Sequence, residues 1–213
     1  MTIKINRYLW WIFIPLTLFY QPVLSQDTSF RKLSLAYNIS IDIPSHWLVL
    51  SKDTRKNIAA YAQASIDNAG IEGIIADKTR ILAVNSAPNP TGATIRISVS
   101  IPPDYDQNDL AATTTTDLKY IRSELFSGFK KLESPGGLKV LEMQSTRIEL
   151  LNNYRALVFS YIRAGVKGPS PWLVTQYKIP SGNKMIELTL SNRQSNAFLW
   201  MPIMERIKRS IRF

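Results

Sequence analysis

Few side chains in this sequence can do covalent chemistry. His46 is the only imidazole in 213 residues, and cysteine is absent. Thiol nucleophiles, disulfide frameworks, structural zinc and multi-histidine metal centres are thereby excluded, and no metal or cofactor is expected. A hydroxyl activated by His46 would need a serine held against the ring and a carboxylate behind it. Ser45 is the sequence neighbour, but adjacent residues of an extended chain point to opposite faces. No G-x-S-x-G elbow presents another serine. His46 is therefore read as a structural or surface residue, and no catalytic residue is assigned.

Three acids crowd one loop, Asp104-Tyr-Asp-Gln-Asn-Asp109. Paired carboxylates can serve a hydrolase as acid and base. The spacing also approaches a calcium loop, but the loop glycine and the closing bidentate glutamate are missing. Solvated loop acids are the expectation. Gly136-Gly137 and Gly165-Val-Lys-Gly168 lack the strand, loop and helix order of a phosphate cradle and read as turns.

Lysine and arginine number 26 against 16 acids, a formal charge of +10. The densest block is Arg206, Lys208, Arg209 and Arg212, the one candidate anion-binding set. Its ligands would be anionic envelope polymers or lipid headgroups, with no nucleic acid expected. The same cations near a helix C-terminus would offset its dipole with no ligand at all. Trp47, Trp172, Tyr177 and Trp200 are candidates to line a groove, but such aromatics mostly fill cores.

An address precedes these residues. Lys4 and Arg7 lead into the apolar run Tyr8-Leu-Trp-Trp-Ile-Phe-Ile-Pro-Leu-Thr-Leu-Phe-Tyr20, with no acid before Asp27. That is the pattern of a signal peptide over residues 1–25, and a helix crossing a bilayer needs about 20 apolar residues. Cleavage is expected after Ser25 or Gln26, giving an exported protein, periplasmic or secreted. Without cysteine the exported chain relies on packing alone, which favours a bacterial setting. Residues 26–35 read as a lead-in and 36–213 as one domain, long enough to bury a core.

Within that domain, Tyr37 to Ile43 alternates as a half-buried strand, and Trp47 to Leu50 is extended. Ile58, Ala62, Ile66 and Ala69 mark a helix over 52–68, closed by Gly70, and 71–78 is ambiguous. Ile81–Val84 and Thr94–Ile101 are strands. Leu118, Ile121, Leu125, Phe129 and Leu132 stripe a helix over 109–132 that Ser134-Pro-Gly-Gly137 ends, with Thr113 to Thr116 fraying its start. Two hairpins follow: 140–151 with 154–164 about Asn152-Asn153, and 172–179 with 184–191 about Pro180 to Asn183. Met204, Ile207 and Ile211 stripe a last helix, whose first turn is placed at Pro202. Short turns between strands imply antiparallel pairing, and one-faced helices must cover a sheet. The fold class is α+β, an antiparallel sheet covered by helices.

Ile41-Asp-Ile-Pro44 followed by Trp47, the mid-chain amphipathic helix, the hairpin carrying Asn153-Tyr154-Arg155-Ala156, and the ending Ile207-Lys-Arg-Ser-Ile-Arg-Phe213 together resemble the PsbP/Mog/DcrB-like group over about residues 35 to 213. The resemblance implies an α/β/α sandwich and a binding or accessory role, and it carries over no functional residue. The expected function is an exported, non-catalytic protein acting through its surface on a protein or cell-envelope partner. The alternatives are a carboxylate-dependent hydrolase and an electrostatic binder of anionic polymers.

Overall fold

Alternating apolar residues build a sheet whose two faces are covered by different layers. The computed structural model describes residues 29–57, 79–87, 92–133, 138–165 and 170–213. The expected signal peptide, most of the helix expected over 52–68, residues 71–78 and the turns expected at 88–91, 134–137 and 166–169 lie outside these residues. Strands β3 (Leu48–Val49), β4 (Thr79–Asn85), β5 (Ala93–Ser100), β6 (Val140–Leu151), β7 (Tyr154–Arg163), β8 (Trp172–Ser181) and β9 (Lys184–Arg193) form one sheet. Its order is β3-β4-β5-β9-β8-β7-β6, and every pairing is antiparallel. Strands β1 (Phe30–Ser34) and β2 (Ser40–Pro44) make a separate ribbon.

Cross-strand register builds the main core. Ile95, Ile97 and Val99 of β5 stand opposite Leu190, Leu188 and Ile186 of β9. Ile41 and Ile43 of β2 and Met204 and Ile207 of helix α3 (Ala197–Ser210) close over that face. On the opposite face Met143, Phe159, Tyr161, Trp172 and Val174 lie beneath Leu125 and Phe129 of α2 (Thr115–Lys131), which follows the short α1 (Gln107–Ala112). Helix, sheet and helix thus make the expected sandwich.

Both hairpins form where expected. Asn152 and Asn153 take φ of 49° and 70°, and Asn is one of the few residues that adopts this left-handed pair readily. Gly182, at φ 60°, opens the second turn, between Ser181 and Lys184.

Four local expectations need correction. The segment read as a lead-in contains β1, which pairs with β2 from Phe30–Pro44 to Ser34–Ser40. Its alternation is masked by Arg31 and Lys32. Tyr37 is not in a strand but in a one-turn 3-10 helix with φ 62°, and it is exposed. The helix expected over 109–132 is two helices. Thr113 does not fray but ends α1, and Thr114 caps α2 through a reciprocal capping box with Asp117. The hydroxyls that weaken a helix interior are good at starting one.

The fourth concerns Pro202. Helix α3 begins at Ala197, with Pro202 inside it. Proline removes the donor for the carbonyl of Phe198, but that carbonyl belongs to the first turn, where solvent can satisfy it. Extending the helix backwards lets Trp200 meet Trp47 edge to face at 5.8 Å.

Candidate functional site

The early start of α3 creates the most distinctive surface. Phe198, Met201 and Leu199 are left 74%, 57% and 42% exposed, side by side on the first turns. Beneath Phe198 and Met201 the helix and sheet part to form a groove of about 520 Å³. Its floor is Leu173, Thr175 and Tyr177 of β8 with Leu190 of β9, and its far rim carries Arg147, Glu205 and Lys208. An apolar floor with a charged rim suits an apolar side chain presented by a protein segment.

Trp200 packs the start of α3 against Trp47 and the Gly92 backbone. It sits over Gly92, where an added Cβ would lie 2.6 Å from the indole ring. Arg206 stacks over Phe30 at 3.8 Å. The Asp42 amide donates to Ser210 Oγ at 2.9 Å, and Ser40 and Arg212 exchange backbone hydrogen bonds, also at 2.9 Å.

An ion-pair clasp locks the other side of the helix. Lys208 Nζ lies 2.8 Å from both Glu149 Oε1 of β6 and Glu205 Oε2. Arg147 reaches Glu149 Oε2 at 2.7 Å, and Arg209 reaches Glu205 Oε1 at 2.8 Å. Burial opposes ionisation of Glu149, but hydrogen bonds from Lys208 and Arg147 outweigh it and hold the carboxyl below its ordinary range. Glu205 is lowered the same way, burial being overcome by Lys208 and Arg209. Lys208 is desolvated, yet its two carboxylates raise it above its ordinary value.

The four cations expected to act together are therefore placed differently. Lys208 is spent on Glu149 and Glu205, and Arg209 on Glu205. Arg206 lies on Phe30, and Arg212 donates to the carbonyls of Arg209 and Ile211. His46 is exposed in the turn between β2 and β3. Asp106 is the N-cap of α1, with Asp109 as its capping-box partner, while Asp104 faces Lys178 at 3.6 Å. The loop acids thus start a helix. Among the described residues no three His, Cys, Asp or Glu side chains are grouped to hold a metal.

Trp47, Trp172 and Tyr177 are buried. Only Tyr177 also lines the groove. Arg163 and Arg193 flank Trp172 at 5.3 and 5.6 Å. Beyond them, Arg96 is pushed down to about 10 by burial and by the neighbouring Arg80 and Arg163. Sequence reasoning missed the Phe198 to Met201 surface because it started the helix at Pro202. The available signal was the run Ala197-Phe-Leu-Trp-Met201, too apolar for an ordinary connecting loop.

No family model and no curated protein matches the chain. Solved structures do. The cyanobacterial PsbP (CyanoP) of Synechocystis sp. PCC 6803 aligns at a TM-score of 0.50 and 11% identity, covering 87% of this chain and 92% of that one. LpqN of Mycobacterium tuberculosis, described as involved in cell envelope biogenesis, aligns at 0.49 and 13%, covering 86% and 89%. The Saccharomyces cerevisiae Ran-binding protein Mog1p aligns at 0.43 and 5%, covering 87% and 95%. The class is an α+β sandwich around an antiparallel sheet. More narrowly, the chain has a PsbP-like fold, as the sequence resemblance implied.

Proposed function

We propose that the protein is an exported, non-catalytic binding or accessory protein that captures a protein partner of the cell envelope at the α3 groove. The observation that carries this reading is the exposed pair Phe198 and Met201 on the lining of an apolar groove, with exposed Leu199 on the same turn of the helix. Contiguous exposed apolar side chains with a polar rim mark interaction surfaces. The leader-like residues 1–25 support export.

Crosslinked pull-down from the native compartment tests the reading. A partner held by the wild type and lost with Phe198→Asp combined with Met201→Asp is expected. Recovery of the same partner with that double variant would remove the groove from the account. Mass spectrometry of the exported protein should find it starting at Gln26 or Asp27. Reproducible turnover of a hydrolase substrate, abolished by His46→Ala, would replace the reading with an enzyme.

The electrostatic alternative keeps Arg206, Lys208, Arg209 and Arg212 as its anion-binding set. Arg206, Arg209 and Arg212 are exposed, which favours it. It requires retention on a phosphate matrix that falls steeply with salt and is weakened by neutralising those three arginines.

A further inference from the structure

Strand β6 ends the sheet: among the described residues no further strand lies against its outer edge. At 12 residues it is long for such a position, and a long edge strand offers unpaired backbone groups to any other extended chain. Its two halves are protected differently. The first half is interrupted by register shifts between Val140 and Glu142 and between Met143 and Thr146, and Arg122 of α2 donates from Nη2 to the Met143 carbonyl there. Bulges of this kind blunt an edge. From Thr146 to Leu151 the register against β7 is unbroken. Ser145 and Leu150 are exposed and Thr146 to Glu149 are half-buried, so solvent reaches this second half.

The second half carries one charge of each sign, placed symmetrically about Ile148. Arg147 precedes it and Glu149 follows it. Both stand on the α3 face, opposite Val158 and Ala156 of β7, while Thr146, Ile148 and Leu150 belong to the other face. Charges on an edge strand ordinarily deter pairing. Here a two-fold axis through Ile148 would set Arg147 against Glu149 of an antiparallel second copy, and Glu149 against its Arg147. Opposite charges directly across a ladder are favourable, and like charges are not. The same axis sets Leu150, 67% exposed, opposite Thr146 of the second copy and diagonal to its Ile148.

We propose that two copies of this chain join through their β6 edges, Ser145 to Leu151 of one lying antiparallel to Ser145 to Leu151 of the other, so that the two sheets become one. An unrelated strand has no reason to match the two-fold symmetry of Arg147 and Glu149, and this selects a second copy as the occupant. The interface is isologous and closed, leaving no free edge at the seam. The paired segments carry no net charge, and the repulsion between two basic chains is screened at physiological salt. So small an interface gives a weak, concentration-dependent dimer. The axis stands perpendicular to the sheet, so both α3 grooves open on the same side. The pairing does not rest on what those grooves capture.

Sedimentation equilibrium of the purified protein at about 0.15 M salt, from micromolar to near-millimolar concentration, tests the proposal. A monomer–dimer equilibrium is expected. Arg147→Glu, which sets like charges together at both symmetric positions and leaves the Glu149–Lys208 bond in place, should raise the dissociation constant about tenfold or more. The chain has no cysteine of its own, so single cysteines report position. Ile148→Cys, on the axis, should give a disulfide-linked dimer under mild oxidation, because paired Cα atoms across an antiparallel ladder are about 4.5–5.5 Å apart. Leu141→Cys, exposed on the same strand but far from the axis, should link much more slowly. Phe198→Asp should dimerise as the wild type does. A monomer throughout the range overturns the proposal, whether or not a strand of another protein takes the edge. A dimer overturns it too if it is indifferent to Arg147→Glu, if it links no faster in Ile148→Cys than in Leu141→Cys, or if Phe198→Asp dissolves it.

Discussion

Lys208 shows how much structure one side chain of a basic run can hold together. In the sequence it belongs to a cationic run. In the molecule it joins α3 to β6 through Glu149 while bonding Glu205 on its own helix. Lys208→Met should lower stability by about 1–3 kcal/mol, because it leaves the partly buried Glu149 with Arg147 alone. The pH dependence has a definite sign. Glu149 and Glu205 titrate lower in the folded state than their ordinary 4.5. Their stabilisation is complete above about pH 4.5 and is lost as pH falls through the depressed values. Lys208 titrates above its ordinary 10.5, so its share persists to that pH and fades as pH rises through the raised value. Thermal melts across pH should therefore drop at both ends, with both drops smaller in Lys208→Met. Gly92 is the second decisive residue. Gly92→Ala should cost about 1–3 kcal/mol by forcing Trp200 off its seat, measured as a fall in denaturation midpoint.

At the scale of elements, the strands were legible and the helix boundaries were not. Asn152-Asn153 and the alternation of Ile95 to Val99 read directly, because period two and left-handed turn residues are local signals. The break at Thr113 and Thr114 was hidden because the apolar stripe starts only at Leu118 and leaves the residues before it unmarked. Both threonines are extended, and the capping bonds between Thr114 and Asp117 start the second helix. The start of α3 was hidden because the contacts that extend it past Pro202, to Trp47 and Gly92, lie far away in sequence. Thr114→Ala should destabilise the protein by about 1 kcal/mol and loosen the first turn of α2, seen as faster amide exchange there. Thr113→Ala, which removes only a hydroxyl bond to the Asp109 carbonyl, should do less. The groove escaped notice for the same reason as the helix start, since its mouth consists of residues that sequence reasoning had assigned to a connection.

For the whole molecule, the strand order shows how the chain is assembled. Neighbours in sequence pair with each other from β3 to β5 and again from β6 to β9, and the second series, joined by short turns at Asn152–Asn153 and Gly182–Asn183, is the more local of the two. Within the described sheet the two meet where β5 lies against β9, along eight residue pairs from Ala93–Asn192 to Ser100–Met185. That seam joins distant parts of the chain, and such pairings form late and slowly. The junction of α1 and α2 falls between the two series and divides no strand. A chain cut between Thr113 and Thr114 would leave each series whole in its own fragment. The two fragments, made separately and mixed, would then find each other as two partners do, at a rate set by their concentrations.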